Sequence, residues 1–362
     1  MKPLFMWAGG KTSLIKEYES RKLLPETFDT YIEPFLGGGA MFIWAYERNP
    51  NANFVLNDRN PYIMGIYNAV KNDYDEFCRV VFEHEKKYLS LYPPKKDLRD
   101  SNNKKIWVDH PVGCANKELE KQYKVGQNVN WIDLWNENPI YHVRRTYYFK
   151  TRQEYQQTQD DRLNTFYSAT LYFLMKTGFN GVWQTYKERL PKPPGRKWKK
   201  DEKKTRDTGL FHTPCGLMRH EDSIFSSRNG DGREDLKLWN QALQNATLLN
   251  LDFMDTLDYA HGEENCFIFM DPPYRGCFTQ YEVDFDDKLQ QSVVDYLNCA
   301  THGGAYVMMS NRDVGDGFFE QRQGTNIIET FDVTYTVGRR KKEDDGTYSA
   351  KKAKEILMIG KK

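Results

Sequence analysis

Asp271-Pro272-Pro273-Tyr274 is the stretch whose residue types and spacing are best suited to chemistry. It follows Phe267-Ile268-Phe269-Met270, four apolar residues that read as a buried strand ended abruptly by two prolines. An acid and an aromatic therefore fall at the carboxyl end of a strand, the edge of an open α/β sheet where ligands bind. Proline lacks an amide hydrogen and biases the residue before it toward extended backbone. Asp271 is thus expected in a stiff turn, its carboxylate and the neighbouring carbonyl oxygens free to accept hydrogen bonds. Tyr274 adds a flat apolar face. Acceptors beside an aromatic plate suit a planar heterocycle with an exocyclic amine. A plain strand-to-turn junction is the competing reading.

Three other turns should converge on that edge. Trp7-Ala8-Gly9-Gly10-Lys11-Thr12-Ser13 lacks the first glycine of a phosphate-binding loop, because Phe5 stands in its place. What remains is a Gly-Gly turn and a helix over Thr12 to Tyr18, whose amino terminus and Lys11 favour an anionic group. Next, a strand at Thr30 to Glu33 runs through Pro34-Phe35-Leu36 into Gly37-Gly38-Gly39 and a helix carrying Met41, Phe42 and Trp44. Those glycines either let a ligand approach the backbone or simply supply positive φ. Their spacing is not GxGxxG, which argues against a nicotinamide dinucleotide. A second strand, Asn53 to Asn57, ends at Asp58, 19 residues beyond Gly39. An acid about 20 residues past a glycine turn takes ribose hydroxyls in sheets of this class. Leu248 to Phe253 reads as a further strand ending in an acid and an aromatic, Asp252-Phe253.

The bulk composition narrows the setting. The chain has 362 residues, a net charge of +1, and 23 Tyr, 21 Phe and 8 Trp. Its length fits one large domain or two. No global basic field advertises nucleic acid, but the aromatics suit stacking on bases as well as a core. The six cysteines form no CxxC pair and none has zinc spacing with histidine, so they read as reduced cytosolic thiols and no metal is expected. The amino-terminal apolar patch is too short for a signal peptide or a membrane span.

From Pro61 to Arg219 the strand-turn-helix rhythm is lost. Residues 93 to 130 are polar. A helix is expected over Leu163 to Lys176, with Phe166, Thr170, Phe173 and Leu174 as its core stripe. Residues 187 to 206 hold ten basic side chains against three acids, with Trp198 among them. Such a run is either a solvated face or a phosphate grip. Downstream come a helix at Lys288 to Leu297, a strand at Ala305 to Met309, and two strands at Ile327 to Val337 and Ile356 to Ile359. Between the last two lies the basic loop Arg339-Arg340-Lys341-Lys342.

The 271–274 stretch resembles the DPPY motif of amino-methyltransferases. WAGGK, EPFLGGGAMF and the Asn57-Asp58-Arg59-Asn60 run are similar to motifs of Dam-type, alpha-group DNA adenine-N6 methyltransferases. Thr177-Gly178-Phe179-Asn180-Gly181 and Gly209-Leu210-Phe211-His212-Thr213-Pro214-Cys215-Gly216 resemble that family's recognition signatures, with His212 in place of an asparagine. The resemblance implies an α/β fold: a Rossmann-like sheet with an inserted, mainly helical target-recognition domain. Residues 1–65 and 226–362 would be catalytic and 66–225 would read the target. It implies S-adenosylmethionine as cofactor, held by Trp7, Lys11, Glu33, Phe35, Gly37, Gly38, Gly39, Asp58, Asp252, Phe253 and Asp271. Asp271, Pro272, Pro273 and Tyr274 would act on the flipped base. Double-stranded DNA would meet Asn180, Val182, Gln184, Lys187, Arg189, Arg196, Lys197, Lys199, Lys200, Pro214, Arg339 and Arg340. Val182-Trp183-Gln184 replaces the family's guanine-reading arginine, so the usual GATC site does not carry over. The resemblance also implies a cytoplasmic monomer or weak dimer on DNA, with a cognate restriction endonuclease as a partner to test. RNA or cytosine as substrate, or a silent DNA-binding relative, stay open at this point.

Overall fold

The structure, a computed structural model, describes residues 1–5, 7, 10–91, 144–179, 183–190, 205–215, 224, 226–227, 230–263, 265–276, 285–335, 341–342, 348–349 and 351–361. Its centre is a seven-stranded sheet. The strands are β1 (Thr30–Glu33), β2 (Asn53–Asn57), β5 (Ala246–Leu249), β6 (Cys266–Met270), β7 (Tyr306–Asp313), β8 (Ile327–Tyr335) and β9 (Lys351–Gly360). β3 (Thr185–Arg189) and β4 (Thr205–Phe211) form a separate hairpin. The sheet order is β8-β9-β7-β6-β1-β2-β5. Pairs from β7 across to β5 are parallel, whereas β9 runs antiparallel to both β7 and β8. Strand order reverses between β1 and β6, so Glu33, the last residue of β1, and Asp271, the first after β6, flank the switch point, the place where such sheets bind ligands.

Buried parallel strands have side chains covered on both faces, which is why β6 reads as an unbroken apolar run. Phe267, Phe269, Tyr31, Phe54 and Leu357 join the larger core cluster. Ile268, Met270, Ile32, Val307 and Met358 face the smaller one, closed by Val293, Val294 and Leu297 of the helix Asp287–His302. On the larger side lie α1 (Thr12–Ser20), α2 (Ala40–Arg48) and α3 (Pro61–Asn72).

The region expected to lose its rhythm is helical at its start. Asn60 accepts from the amides of Tyr62 and Ile63, Pro61 opens α3, and α4 (Tyr74–Ser90) follows. Capping asparagine plus proline at the first helical position is a readable start signal. After α5 (Arg144–Gln157) comes α6 (Thr165–Thr177), which packs on α3 and α4. Its expected stripe needs one correction. Thr170, Phe173 and Leu174 are buried, but Phe166 in the first turn is 47 % exposed. α7 (Gly232–Leu243) leads back to β5, and Asn240 donates to the Val70 carbonyl of α3. β5 is shorter than expected because the Asp252 side chain caps a 3₁₀ helix, Phe253–Ala260. The helix expected from Lys288 spans Asp287–His302, longer by a turn at its end, and is labelled α8. Among the described residues no helix is long and apolar enough to cross a membrane.

Candidate active site

Both oxygens of the Asp271 carboxylate have protein partners. Oδ1 accepts from Ser310 Oγ at 2.8 Å, and Oδ2 lies 2.8 Å from Lys11 Nζ. The Lys11 side chain is 4 % exposed and that of Asp271 24 %, so the cation is sealed behind a carboxylate that still meets solvent. Each carboxylate oxygen carries two lone pairs, so each keeps one further acceptor direction. Lys11 Nζ also sits 4.7 Å from the centroid of the Tyr274 ring, whose hydroxyl donates to Glu355 at 2.7 Å.

The turn after β6 is fixed from behind. Gln290 Nε2 donates to the Pro273 carbonyl at 2.8 Å, and Gln290 Oε1 accepts from Asn311 Nδ2 at 2.9 Å. Asn311 Oδ1 in turn accepts from the Arg275 amide. Both amide side chains are fully buried. No described residue donates to the Pro272 carbonyl. The Arg275 guanidinium pairs with Asp287 and Asp316 and covers Phe318.

The other turns meet on the same edge. Gly37 and Gly39 adopt φ +48° and +70°, the left-handed region. The space that a Cβ on Gly37 or Gly38 would need is taken by Trp7, and at Gly39 by Trp239. These glycines therefore serve close packing of protein on protein. Asp58 Oδ2 accepts from the Gly37 amide and Oδ1 from the Asn60 amide, both at 2.9 Å. Burial pushes the Asp58 carboxyl up, and donation from Asn60 and Gly37 opposes that. Glu33 is buried and accepts from the Tyr31 hydroxyl at 2.7 Å. Burial raises it well above the usual carboxylate range; the Tyr31 bond opposes this and the Asp271 charge adds to it. Phe35 and Phe253 pack together with centroids 5.1 Å apart. That spacing admits no base between them, so a planar ring must lie at their edge or part them. Asp252 pairs with Arg59 at 3.3 Å near the surface.

A family profile for D12 class N6 adenine-specific DNA methyltransferases matches residues 7–107 and 226–341. The chain belongs to that family. The profile takes in every turn just described. The Type II methyltransferase M.MjaIII of Methanocaldococcus jannaschii is 24% identical over 357 residues, 96% of this chain and 97% of its own. The DNA adenine methylase of Haemophilus influenzae is 37% identical over 87 residues, 22% of this chain and 27% of its own. The Type II methyltransferase M.CviBI of Paramecium bursaria Chlorella virus NC1A is 39% identical over 72 residues, 20% of this chain and 26% of its own. This methyltransferase shares with M.MjaIII nearly its full length, including the middle region that the profile leaves out.

In that middle region the two recognition signatures are neighbours. Gly178 bridges to Cys215, and the Phe179 amide donates to the Pro214 carbonyl. β3 and β4 pair with Lys187 opposite Asp207 and Arg189 opposite Thr205. Lys187 is exposed, and Pro214 sits at the exposed base of the hairpin. α5 holds the second signature: Arg152 donates to the carbonyls of His212 and Thr213, and Gln156 to that of Phe211. Gln184 is half-buried, and its backbone N–H donates to Thr213 Oγ1. Its neighbour Trp183 is buried, 6.2 Å from Trp7 and 5.3 Å from Phe211 between ring centroids. The amino-terminal turn and the hairpin are therefore linked through two indoles. Asn180, Val182, Arg196, Lys197, Lys199, Lys200, Arg339 and Arg340 lie outside the described residues.

Several site residues escaped the sequence reading. Asn57 is fully buried and donates to the carbonyls of Pro34 and Leu251 while accepting from the Leu251 amide. It ties the turns after β1, β2 and β5, and an asparagine inside an apolar strand was its signal. Ser310 and Asn311 gave a similar signal at the end of β7. Gln290 and Glu355 gave none, because their partners are remote in sequence.

Proposed function

We propose that this methyltransferase uses S-adenosylmethionine as methyl donor, flips the target adenine out of duplex DNA, and transfers the methyl group in line to the adenine N6 at a short specific site. The reading rests on the Asp271 carboxylate, held by Ser310 and Lys11 beside the Tyr274 ring. The donor set suits a cationic donor: Glu33, Asp58, Asp252 and Asp271 lie on one sheet edge, with the Phe35 and Phe253 faces beside them. When bound, the donor supplies an electrophilic methyl group on a positively charged sulfur.

The exocyclic amine is a poor nucleophile because its lone pair is delocalised into the ring. Asp271 and the Pro272 carbonyl accept its two hydrogens and favour a tetrahedral nitrogen, which aims the lone pair at the methyl. Lys11 and Ser310 hold the carboxylate in place, so little reorganisation is needed as charge develops. Tyr274 stacks on the base. A base inside the duplex cannot reach such a pocket, so it must leave the stack.

The helices and hairpin between residues 66 and 225 act as the target-recognition domain, flanked by catalytic segments 1–65 and 226–362. Gln184, Lys187, Arg189, Pro214 and the basic residues of the hairpin meet the DNA. Glutamine pairs naturally with adenine edges, which supports altered readout rather than the guanine contact. The protein works in the cytoplasm as a monomer or weak dimer on DNA, and a cognate restriction endonuclease is the partner to seek.

Single-molecule sequencing of DNA from cells expressing the chain tests this reading. Modified adenines in one short motif are the expected result. Methylated cytosine, methylated RNA alone, or no modified base despite donor binding would overturn it.

A further inference from the structure

At Glu355, β9 places a charge on the same sheet face as its core residues Leu357 and Ile359. Along Lys354-Glu355-Ile356-Leu357-Met358-Ile359 the side chains alternate between the two sheet faces. Leu357 and Ile359 enter the larger core cluster, and Glu355 shares their face. It is 5 % exposed. A buried carboxylate is costly unless it is hydrogen-bonded, and here Oε2 accepts from the Tyr274 hydroxyl at 2.7 Å. β9 is separated from β6 by β7, so the contact spans one strand of the sheet. Burial, then the Asp271 and Glu355 charges, keep the Tyr274 hydroxyl well above its ordinary pKa, so it remains a donor.

We propose that Glu355 is a positioning residue for methyl transfer, acting through Tyr274. The inference rests on the reading above, in which the Tyr274 ring covers the target adenine. A hydrogen bond from the phenol to a carboxylate pins the ring plane and enriches its π face. As the nitrogen–methyl bond forms and the methyl–sulfur bond breaks, the sulfur keeping the electron pair, the amine nitrogen gains positive charge that it loses afterwards by releasing one of its protons. An electron-rich face stabilises that charge more in the transition state than in the ground state. The Lys11 ammonium already uses the same ring as a cation partner.

The test follows tritium from labelled S-adenosylmethionine into plasmid DNA lacking adenine methylation, in single turnover. Wild type, Glu355→Gln, Tyr274→Phe and the double variant are compared. Glutamine keeps the shape and an acceptor oxygen but removes the charge. Glu355→Gln is expected to slow transfer about tenfold, with donor and DNA affinities within about twofold of wild type. In the Tyr274→Phe background the same substitution should change the rate by less than about twofold, because the linking hydroxyl is gone. An equal loss in both backgrounds, a Glu355→Gln rate matching wild type, or loss of folding or donor binding in that variant overturns the proposal. A wild-type protein that transfers no tritium overturns the catalytic reading itself, and the proposal with it.

Discussion

The Lys11 ammonium and the Asp271 carboxylate form a 2.8 Å ion pair in which the cation is the more buried partner. One contact thus joins the start of α1 to the end of β6, at the carboxyl edge of the sheet. Losing one partner of a buried pair is strongly unfavourable, because the other is left uncompensated. Lys11→Met should lower the methyl-transfer rate by roughly 100-fold, since the carboxylate is no longer held for the amine. Single-turnover tritium transfer measures this, and an unchanged rate would remove Lys11 from the site.

Asp271→Ala should abolish transfer while leaving DNA affinity close to wild type. Its carboxylate accepts from Ser310 and Lys11, neither of which belongs to the β3–β4 hairpin. Fluorescence anisotropy on duplex DNA, run beside the tritium assay, separates the two effects. Retained turnover would refute the assigned role.

Gly37→Ala should weaken donor binding. A Cβ there would come within 2.8 Å of Trp7 Nε1, at φ +48°. A non-glycine residue in the left-handed region costs on the order of 1 kcal/mol before any clash is counted. The Trp7 indole must shift, and with it its packing on Trp183. Calorimetric titration with S-adenosylmethionine should show an affinity loss larger than the accompanying loss in thermal stability.

Asn311→Ala should lower both stability and turnover. The substitution strips a partner from the fully buried Gln290 side chain and another from the half-buried Arg275 amide. Leaving such groups unsatisfied costs about 1–3 kcal/mol. Gln290 would then be free to release the Pro273 carbonyl. Denaturant titration gives the first quantity. A kcat that stays at the wild-type level would show that the turn holds its geometry without this pair.

Acid should weaken the helical middle through His84. Its ring stacks on Phe173, and its nitrogens meet Tyr147 and Thr170. The Thr170 hydroxyl gives its own hydrogen to the Phe166 carbonyl, so it accepts from His84 Nε2, and Tyr147 donates to Nδ1. That network holds a neutral ring, and burial pushes its pKa from 6.5 down to about 4. The unfolded chain takes up a proton near pH 6.5, which the folded one refuses until about pH 4. Stability is therefore intact above that window and declines as pH falls through it, by on the order of 3 kcal/mol for a shift of this size. Below it both states are protonated and the dependence ends. His212, held at about 4 mainly by burial, acts in the same direction. Melting temperature should fall more steeply from about pH 7 to about pH 5 in wild type than in His84→Gln; parallel curves would refute this.

The parallel half of the sheet was legible because each strand is a short apolar run cut off by proline, glycine or an acid. β1, β2 and β6 end at Glu33, Asn57 and Met270, each followed by residues that the sequence marked for the site. Periodicity placed α6 but not the exposure of Phe166, since a first turn can project past the core it introduces. The acid-aromatic pair Asp252-Phe253 was found, but the 3₁₀ helix it caps was not, because the strand signal ran on through Leu251. Lys11 was read as facing an anion, and its anion in this structure is Asp271, 260 positions away. The clamp residues Gln290 and Glu355 were invisible for the same reason. Their meaning lies in pairings across the sheet, which no local window contains.

β9 lies between β7 and β8 although it follows both in the chain. During synthesis those two strands leave the ribosome without their shared neighbour, each with a row of backbone groups unpaired. The sheet closes only when residues 351–360 arrive, and that same strand brings Glu355 to Tyr274. The hairpin that would grip DNA is translated well before this point. Of the seven strands, the one that comes latest in the sequence thus both fills the gap in the sheet and completes the Tyr274 contact, so sheet closure and that contact form together.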